Sequence, residues 1–265
     1  MRLLTLAKAA LGLMLATAPA AADEALRALV TGDQGRGWEA VGRVDLGNEA
    51  FCTGALIAPD LVLTAAHCLF SSRSGAMIGT DQINFLAGWR NGSAIAYRGA
   101  RRAVVPAGYR YGDSDKIDRI EGDIALIELD QPIRLPTVMP FAMAALPRAG
   151  TDVGVVSYAR DREGAPSLQS LCQVLERAGE VLMLSCEADF GASGAPVFVL
   201  RGGVPSIVSV VSAMADAEGR KVSLAVSVAG VAALRAVLDA DRGSTGSAGS
   251  GGQMAATTGA KFVRP

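Results

Sequence analysis

Three short segments of the chain carry residue types that together can attack a carbonyl carbon. His67 lies in LTAAHC, Asp123 in GDIAL and Ser193 in FGASGAP, in that order. A serine hydroxyl is a weak nucleophile at neutral pH, so a base must take its proton during the attack. An imidazole can do this and return the proton to the leaving group, while a carboxylate fixes its tautomer. The residue types therefore suit hydrolysis through a covalent acyl intermediate.

The histidine and the aspartate have few competitors in the chain. His67 is the only histidine, so no other residue can supply an imidazole. Asp123 opens an apolar run, whereas Asp113, Asp115 and Asp118 lie in a polar loop and none of them precedes Ile-Ala-Leu. We therefore prefer Asp123 as the carboxylate.

The order of the three residues argues against two other classes of hydrolase. The nucleophile elbow of α/β-hydrolases reads Gly-x-Ser-x-Gly, with its histidine after the serine. Here Ala195 replaces the last glycine and no histidine follows Ser193. The subtilisin order places an aspartate before the histidine, but its scaffold needs helices alternating with strands, and none is predicted before His67.

Short apolar runs separated by Gly, Asn, Asp or Pro make up most of the chain from Trp38 onward. Many are rich in Val and Ile, which is typical of β-strands. They form two sets on either side of a proline-rich passage: 40–44, 51–58, 61–64, 83–87, 95–97 and 124–129, then 153–158, 168–175, 181–186, 196–200, 206–212 and 222–228. This pattern predicts an all-β fold of two packed six-stranded antiparallel β-barrels.

The same patterns predict the domain boundaries. A basic start, an apolar run and a small-residue cleavage site predict a signal peptide over residues 1–22. Polar, Gly-rich residues 23–37 predict a flexible arm or pro-segment. The remaining predicted segments are a barrel (38–131), a crossing linker (132–147), a second barrel (148–229), a C-terminal helix (230–242) and a disordered Gly/Ser-rich tail (243–265). Four apolar residues are expected to share one face of the helix: Val231, Leu234, Val237 and Leu238.

Charge and length limit the partners and the compartment. The net charge of −1 becomes −3 when Arg2 and Lys8 leave with the signal, which argues against nucleic acid or an anionic membrane as a partner. The N-terminal apolar run is broken by Pro19 and is shorter than the roughly 20 residues that span a bilayer. We expect cleavage rather than membrane anchoring, and a secreted or periplasmic monomer.

The three motifs together resemble the histidine, aspartate and serine motifs of the chymotrypsin/trypsin clan of serine proteases, especially the exported bacterial branch that includes glutamyl endopeptidases. The resemblance covers the chain from about Trp38 to the terminal helix. It implies a serine endopeptidase that cleaves polypeptides without a cofactor, with Ser193 as nucleophile, His67 as general base and Asp123 as its partner. Two alternatives remain: a catalytically silent binding protein on the same fold, and an esterase-like hydrolase of small substrates.

The resemblance also implies how the oxyanion of the intermediate is bound. The amides of Gly191 and Ser193 would form the oxyanion hole, and a glycine at 191 allows the turn this requires. In the trypsin branch a carboxylate directly before the nucleophile pairs with a new N-terminus. Ala192 stands there in this chain, so we expect activity to be independent of N-terminal processing.

Substrate-binding residues are implied at two places. Glu187 and Ala188 would line the specificity pocket, and Glu187 stands where trypsins carry an aspartate for basic side chains. Asp189 replaces the cysteine that anchors this loop in trypsins, which argues against a pocket role for Glu187. Glutamyl-specific relatives use a second histidine, which this chain lacks. The edge strand that pairs with substrate would contain Ser212, Ala213 and Met214.

The chain contains four cysteines, and in an oxidising compartment an even number suggests disulfides, with three possible pairings. Their spacing lacks the Cys-x-x-Cys clusters of structural zinc sites, so no metal is expected. The family resemblance implies that Cys52 pairs with Cys68, which leaves Cys172 with Cys186.

Overall fold

The computed structural model describes residues 25–47, 50–112, 120–217 and 219–246. The predicted signal peptide and residues 247–265 of the predicted tail lie outside the described residues. The first element is a two-residue strand, β1 (Arg27–Ala28).

The first half of the chain forms a closed antiparallel barrel. Its strands are β2 (Val41–Leu46), β3 (Ala50–Ala58), β4 (Leu61–Thr64), β5 (Ile83–Ala87), β6 (Ala96–Val104) and β7 (Ala125–Leu129). They pair in the order β2-β3-β4-β7-β6-β5. The barrel core contains Leu56, Leu63, Phe85 and Leu126, each fully buried or nearly so.

The second half forms another six-stranded ring. A short strand of the linker, β8 (Ala142–Met143), precedes β9 (Asp152–Ser157), β10 (Ser167–Ala178), β11 (Val181–Leu184), β12 (Pro196–Arg201), β13 (Val204–Ala217) and β14 (Arg220–Ser227). The order β10-β11-β14-β13-β12-β9 is closed by pairing of β9 with β10, while β1 and β8 attach to the outside. A core of small and branched side chains fills it, including Val153, Leu182 and Val208.

The prediction of two six-stranded antiparallel barrels and a C-terminal helix is confirmed. Each predicted run overlaps one of the barrel strands. The largest difference is β6, which continues to Val104 although only 95–97 is predicted. Arginines interrupt its apolar pattern, and Arg102 is tolerated because it faces the buried Glu128 on β7.

The C-terminal helix, α1 (Val231–Gly246), leaves the second barrel and packs on the first. Val231, Leu234 and Leu238 are buried and join the core that includes the first barrel. Val237, predicted on the same face, is 49% exposed, because it lies to one side of the stripe formed by positions 231, 234 and 238. The helix also continues through 243–246, which the composition assigns to the tail. Helix growth is cooperative, so a well-packed turn can extend into poor helix formers.

A buried carboxylate attaches this helix to the barrel. Glu128 is 2% exposed and accepts hydrogen bonds from Arg102 Nε at 2.5 Å and from Arg242 Nε at 2.9 Å. Burial raises the pKa of Glu128, but the two arginines outweigh it, so the pKa lies below its ordinary value. The ionised carboxylate therefore joins β6, β7 and α1.

Glu128→Gln should lower the free energy of unfolding by about 2 kcal/mol at pH 7, because it removes charge-assisted hydrogen bonds. Since the folded-state pKa is lowered, this contribution is complete above the ordinary glutamate pKa and is lost as pH falls through the folded value. Urea denaturation from pH 7 to pH 3 should show the gap between wild type and variant narrowing in acid. Asp239→Asn, which removes an exposed partner of Arg242, should change stability by at most about 0.5 kcal/mol. An equal gap at every pH would contradict this account.

Part of the segment predicted to be a flexible arm or pro-segment docks on the second barrel. β1 pairs with β10, with Arg27 opposite Leu168 and Ala28 opposite Ser167. Leu29 is completely buried, and its amide donates to Pro166 O at 2.8 Å. The polar, Gly-rich composition gives no sign of this docking, because the docking depends on one apolar residue and on the edge of a strand that is distant in sequence.

Leu29→Ala should lower the free energy of unfolding by about 3 kcal/mol, the usual effect of emptying a buried leucine site. Val30→Ala, at a neighbouring position that is 46% exposed, should change it by about 0.5 kcal/mol or less. Chains that begin after Leu29 should be destabilised like Leu29→Ala. Denaturation midpoints of these variants test the docking, and equal stability of all of them would refute it.

Candidate active site

His67 and Asp123 are brought together by neighbouring strands of the first barrel. His67 lies in a short 3-10 helix, Ala66–Leu69, just after β4, and Asp123 lies just before β7. These strands are paired, with Thr64 opposite Ala125. His67 Nδ1 lies 2.7 Å from Asp123 Oδ2, and His67 N donates to Asp123 Oδ1 at 2.7 Å. The carboxylate therefore holds both the ring and the backbone of the histidine.

The environment of Asp123 keeps it ionised. The residue is 2% exposed, and the hydroxyl of Ser212, from the second barrel, donates to Oδ2. Burial raises the pKa of Asp123, but the hydrogen bonds and charge of His67, together with Ser212, bring it below its ordinary value. An ionised carboxylate here favours the tautomer with a proton on Nδ1, which leaves Nε2 able to accept a proton.

Ser193 lies in the loop between β11 and β12 and faces the same cavity as His67. The next residue, Gly194, donates its amide to Val211 O at 2.8 Å, which ties the loop to β13. Among the described residues no hydrogen bond joins the side chains of Ser193 and His67. Such contacts are often loose before substrate binds.

Two glycines in the loop are required by its geometry. Gly191 has φ +98° and Gly194 has φ +79°, a region that residues with a Cβ rarely adopt. A Cβ on Gly191 would collide with the Phe51 ring, and one on Gly194 would collide with Thr53 O and Thr64 Oγ1. The loop can therefore approach the first barrel only with glycine at both positions.

The amides predicted to form the oxyanion hole are available. Within the part of the chain that the structure describes, neither Gly191 N nor Ser193 N donates to a protein acceptor. Phe190 O accepts from Arg160 N at 2.7 Å. The peptide between Phe190 and Gly191 is planar and trans, so its N–H points in the direction opposite to its carbonyl. The bond from Arg160 therefore turns the Gly191 amide away from Arg160.

The cavity has a volume of about 560 Å³ and contains surface from both barrels. Among the predicted substrate-binding residues, Ala188, Ser212, Ala213 and Met214 line it. Glu187 does not: it is exposed, and its amide donates to Gln169 Oε1 at 2.8 Å. The structure therefore groups four of the five residues and leaves Glu187 outside.

Several cavity residues escape prediction from the sequence. Arg160 stacks on the Phe190 ring at 4.7 Å, and both line the cavity beside Asp189. Phe70 and Tyr111 also line the cavity, and their rings stack at 5.4 Å between centroids. Arg160, Phe70 and Tyr111 lie outside the predicted strands and the three motifs, so no sequence pattern marked them. Phe190 opens the serine motif, but the motif does not indicate that its ring lines the cavity.

Arg162 lies close to the acidic residues of this region. Burial lowers the pKa of Arg162, and the charges of Asp189 and Glu187 act in the opposite direction. Glu187 therefore already has a cation within electrostatic reach, which weakens its ability to select a basic substrate side chain.

Both disulfides have the pairing that the resemblance implied. Cys52 joins Cys68 across a separation of 16 residues, and Cys172 joins Cys186 across 14. The first disulfide lies beside His67, and these three residues are close enough to suggest a metal site. Since both sulfurs are bonded to each other, neither can serve as a thiolate ligand. These three residues therefore do not fit a zinc ion.

Comparison with known proteins defines the family. Residues 52–204, more than half of the chain, match the trypsin-like peptidase domain. The chain therefore belongs to this family.

Individual relatives include bacterial and mammalian proteases. Glutamyl endopeptidase from Bacillus licheniformis is 28% identical over 150 residues, which cover 56% of this chain and 45% of that protein. Serine protease 23 from Mus musculus is 30% identical over 166 residues, which cover 56% of this chain and 43% of that protein. The chain thus spans less than half the length of these curated relatives.

Solved structures share the fold. A Glu endopeptidase structure aligns with a TM-score of 0.66 at 19% identity, over 84% of this chain and 98% of that one. The scabies mite inactivated protease paralogue S-D1 aligns with a TM-score of 0.62 at 17% identity, over 76% and 93%. One of these proteins is described as inactivated, so the fold alone does not establish catalysis.

Proposed function

We propose that this protein is an exported serine endopeptidase that hydrolyses peptide bonds through an acyl-enzyme on Ser193. The observation that carries the proposal is the His67–Asp123 pair, buried on the carboxylate side and facing the cavity that contains Ser193. Membership of the trypsin-like peptidase family supports it.

Each group has a defined role in this mechanism. His67 Nε2 takes the proton of the Ser193 hydroxyl as it attacks the carbonyl carbon and then protonates the leaving amine. Asp123 stays ionised and stabilises the imidazolium formed in between. The amides of Gly191 and Ser193 bind the oxyanion, each worth about 3 kcal/mol in the transition state.

The backbone of β13 supports binding of an extended polypeptide. β12 pairs with β13 only as far as Val210, whereas β14 pairs with it from Ser209 to Ala217. Val211 still bonds to Gly194 and Ala195 through its carbonyl and amide. Beyond Val211, the edge of β13 that faces away from β14 is available, within the described residues, for a substrate strand. Such pairing uses main-chain hydrogen bonds and suits proteins better than small esters.

Export is supported by the two disulfides, which persist in oxidising compartments. Among the residues that the structure describes, no helix is long and apolar enough to span a membrane.

Ser193→Ala should abolish turnover, by about a millionfold in kcat, because no other group can form the acyl-enzyme. The measurements are fluorophosphonate labelling followed by digestion of casein. Wild type should be labelled at Ser193 and digest casein, and Ser206→Ala, on the distant end of β13, should behave like wild type. Labelling without proteolysis would indicate a hydrolase of small substrates. Absence of labelling would indicate a catalytically silent binding protein.

The acidic residues near the cavity allow a matched test of side-chain selectivity. Glu187→Gln should leave the ratio of kcat/KM for arginine over leucine at the cleavage site unchanged, because Glu187 does not line the cavity. Asp189→Asn, which removes a carboxylate from the lining, should lower that ratio by removing electrostatic attraction for a cation. Fluorogenic peptides with arginine or leucine at the cleavage site measure this ratio for both variants. A loss of arginine preference in Glu187→Gln alone would show that Glu187 contacts the substrate side chain after all.

A further inference from the structure

Thr53, on β3, connects the first barrel to the loop that carries Ser193 through both its backbone and its hydroxyl. Thr53 N donates to Ser193 O at 2.8 Å, and Thr53 Oγ1 donates to Gly191 O at 2.9 Å. The same hydroxyl accepts from Tyr158 N at 3.0 Å. Thr53 is completely buried, so water cannot readily replace a lost partner.

Every carbonyl from residue 190 to residue 193 accepts a hydrogen bond. The donors in order are Arg160 N, Thr53 Oγ1, Ala195 N and Thr53 N, at 2.7 to 2.9 Å. Because each peptide group is planar, a held carbonyl also directs the amide that follows it. Three of the four donors are backbone amides, so the Thr53 hydroxyl is the only side chain in this set.

The peptide that follows Gly191 is held through the Thr53 hydroxyl. Glycine rotates more freely than other residues, and Gly191 has φ +98°, so its peptide groups can turn unless they are held. Ala192 brings no carboxylate to order the loop from the other side. The Gly191 amide belongs to the peptide that Arg160 N holds, and the Thr53 hydroxyl holds the next peptide, between Gly191 and Ala192. If that next peptide turned, the chain between the two oxyanion amides would shift, and the spacing of the Gly191 and Ser193 amides would change.

We propose that the Thr53 hydroxyl is a positioning group that holds the peptide between Gly191 and Ala192 and so keeps the amides of Gly191 and Ser193 at the spacing that binds the oxyanion. This role rests on the proposed endopeptidase function. It specifies how the oxyanion hole is ordered in a chain that lacks the trypsin-type ion pair between a new N-terminus and the residue before the nucleophile. Thr53 acts through Gly191 and does not touch the substrate.

The test compares Thr53→Val, which keeps the shape and removes the hydroxyl, with Thr53→Ser, which keeps the hydroxyl. Thr64→Val is the matched control, because Thr64 is also completely buried and its hydroxyl donates to Thr53 O at 2.8 Å without contacting Gly191 O. For each variant kcat, KM and the inhibition constant of a peptide aldehyde are measured on fluorophosphonate-titrated, folded enzyme. The aldehyde adds reversibly to the Ser193 hydroxyl and forms a tetrahedral adduct that resembles the transition state. Its affinity therefore reports how well the oxyanion hole binds the oxygen of that adduct.

Thr53→Val should lose about 100-fold in kcat, the effect of one oxyanion donor, with a parallel loss of aldehyde affinity and little change in KM. Thr53→Ser should restore both quantities, and Thr64→Val should keep both even if it is less stable. Should Thr53→Val not fold, Thr53→Ala provides the same comparison with Thr53→Ser.

Two results would overturn the inference while leaving the proposed function intact. One is a Thr53→Val enzyme with wild-type kcat and aldehyde affinity. The other is a loss in Thr53→Val that Thr64→Val reproduces, since the effect would then come from a weakened barrel. A wild-type protein that neither labels nor cleaves any peptide would instead refute the proposed function, and the oxyanion role of Thr53 with it.

Discussion

The carboxylate of Asp123 is buried where the two barrels meet, and it stays ionised only because both barrels supply donors. His67 provides its amide and its ring from the first barrel, and Ser212 provides a hydroxyl from the second. Burying a charge without such partners is strongly unfavourable. The orientation of the histidine therefore depends on the relative position of two separately closed barrels. Anything that shifts one barrel against the other would leave a buried carboxylate short of a donor.

Apolar packing between the two barrels helps to hold that relative position. Phe198 on β12 is completely buried, and its ring lies 4.9 Å from Trp38 and 4.7 Å from Phe141, centroid to centroid. These residues come from the second barrel, the start of the first and the linker. Tilted aromatic contacts of this kind add to the stabilisation from burial. Helix α1 adds a second connection, because it leaves the second barrel and packs on the first.

The cavity has a floor of closely packed backbone, whose geometry is fixed, and walls formed by side chains of surface loops. The floor consists of glycine turns and backbone hydrogen bonds, where the close approach of Gly194 to Thr53 leaves no room for a side chain. The walls come from loops that carry Arg160, Phe190 and Tyr111. In the proposed mechanism the chemistry depends on the floor, and selectivity for particular polypeptides would depend on the walls, since loops can change without disturbing the barrels.

The strand pattern and the order of three motifs were enough to predict the all-β class, the two barrels and the candidate residues His67, Asp123 and Ser193. These features are local: strand alternation and turn residues act over a few positions, and each motif is a short segment. The tertiary structure alone decided the docking of Leu29, the extension of β6 and the place of Glu187 outside the cavity. Each of these depends on a distant partner: Pro166 for Leu29, Glu128 for β6, and Gln169 for Glu187. A sequence pattern read over a few neighbouring residues cannot register such partners, because the energy that selects them arises only when remote segments pack together.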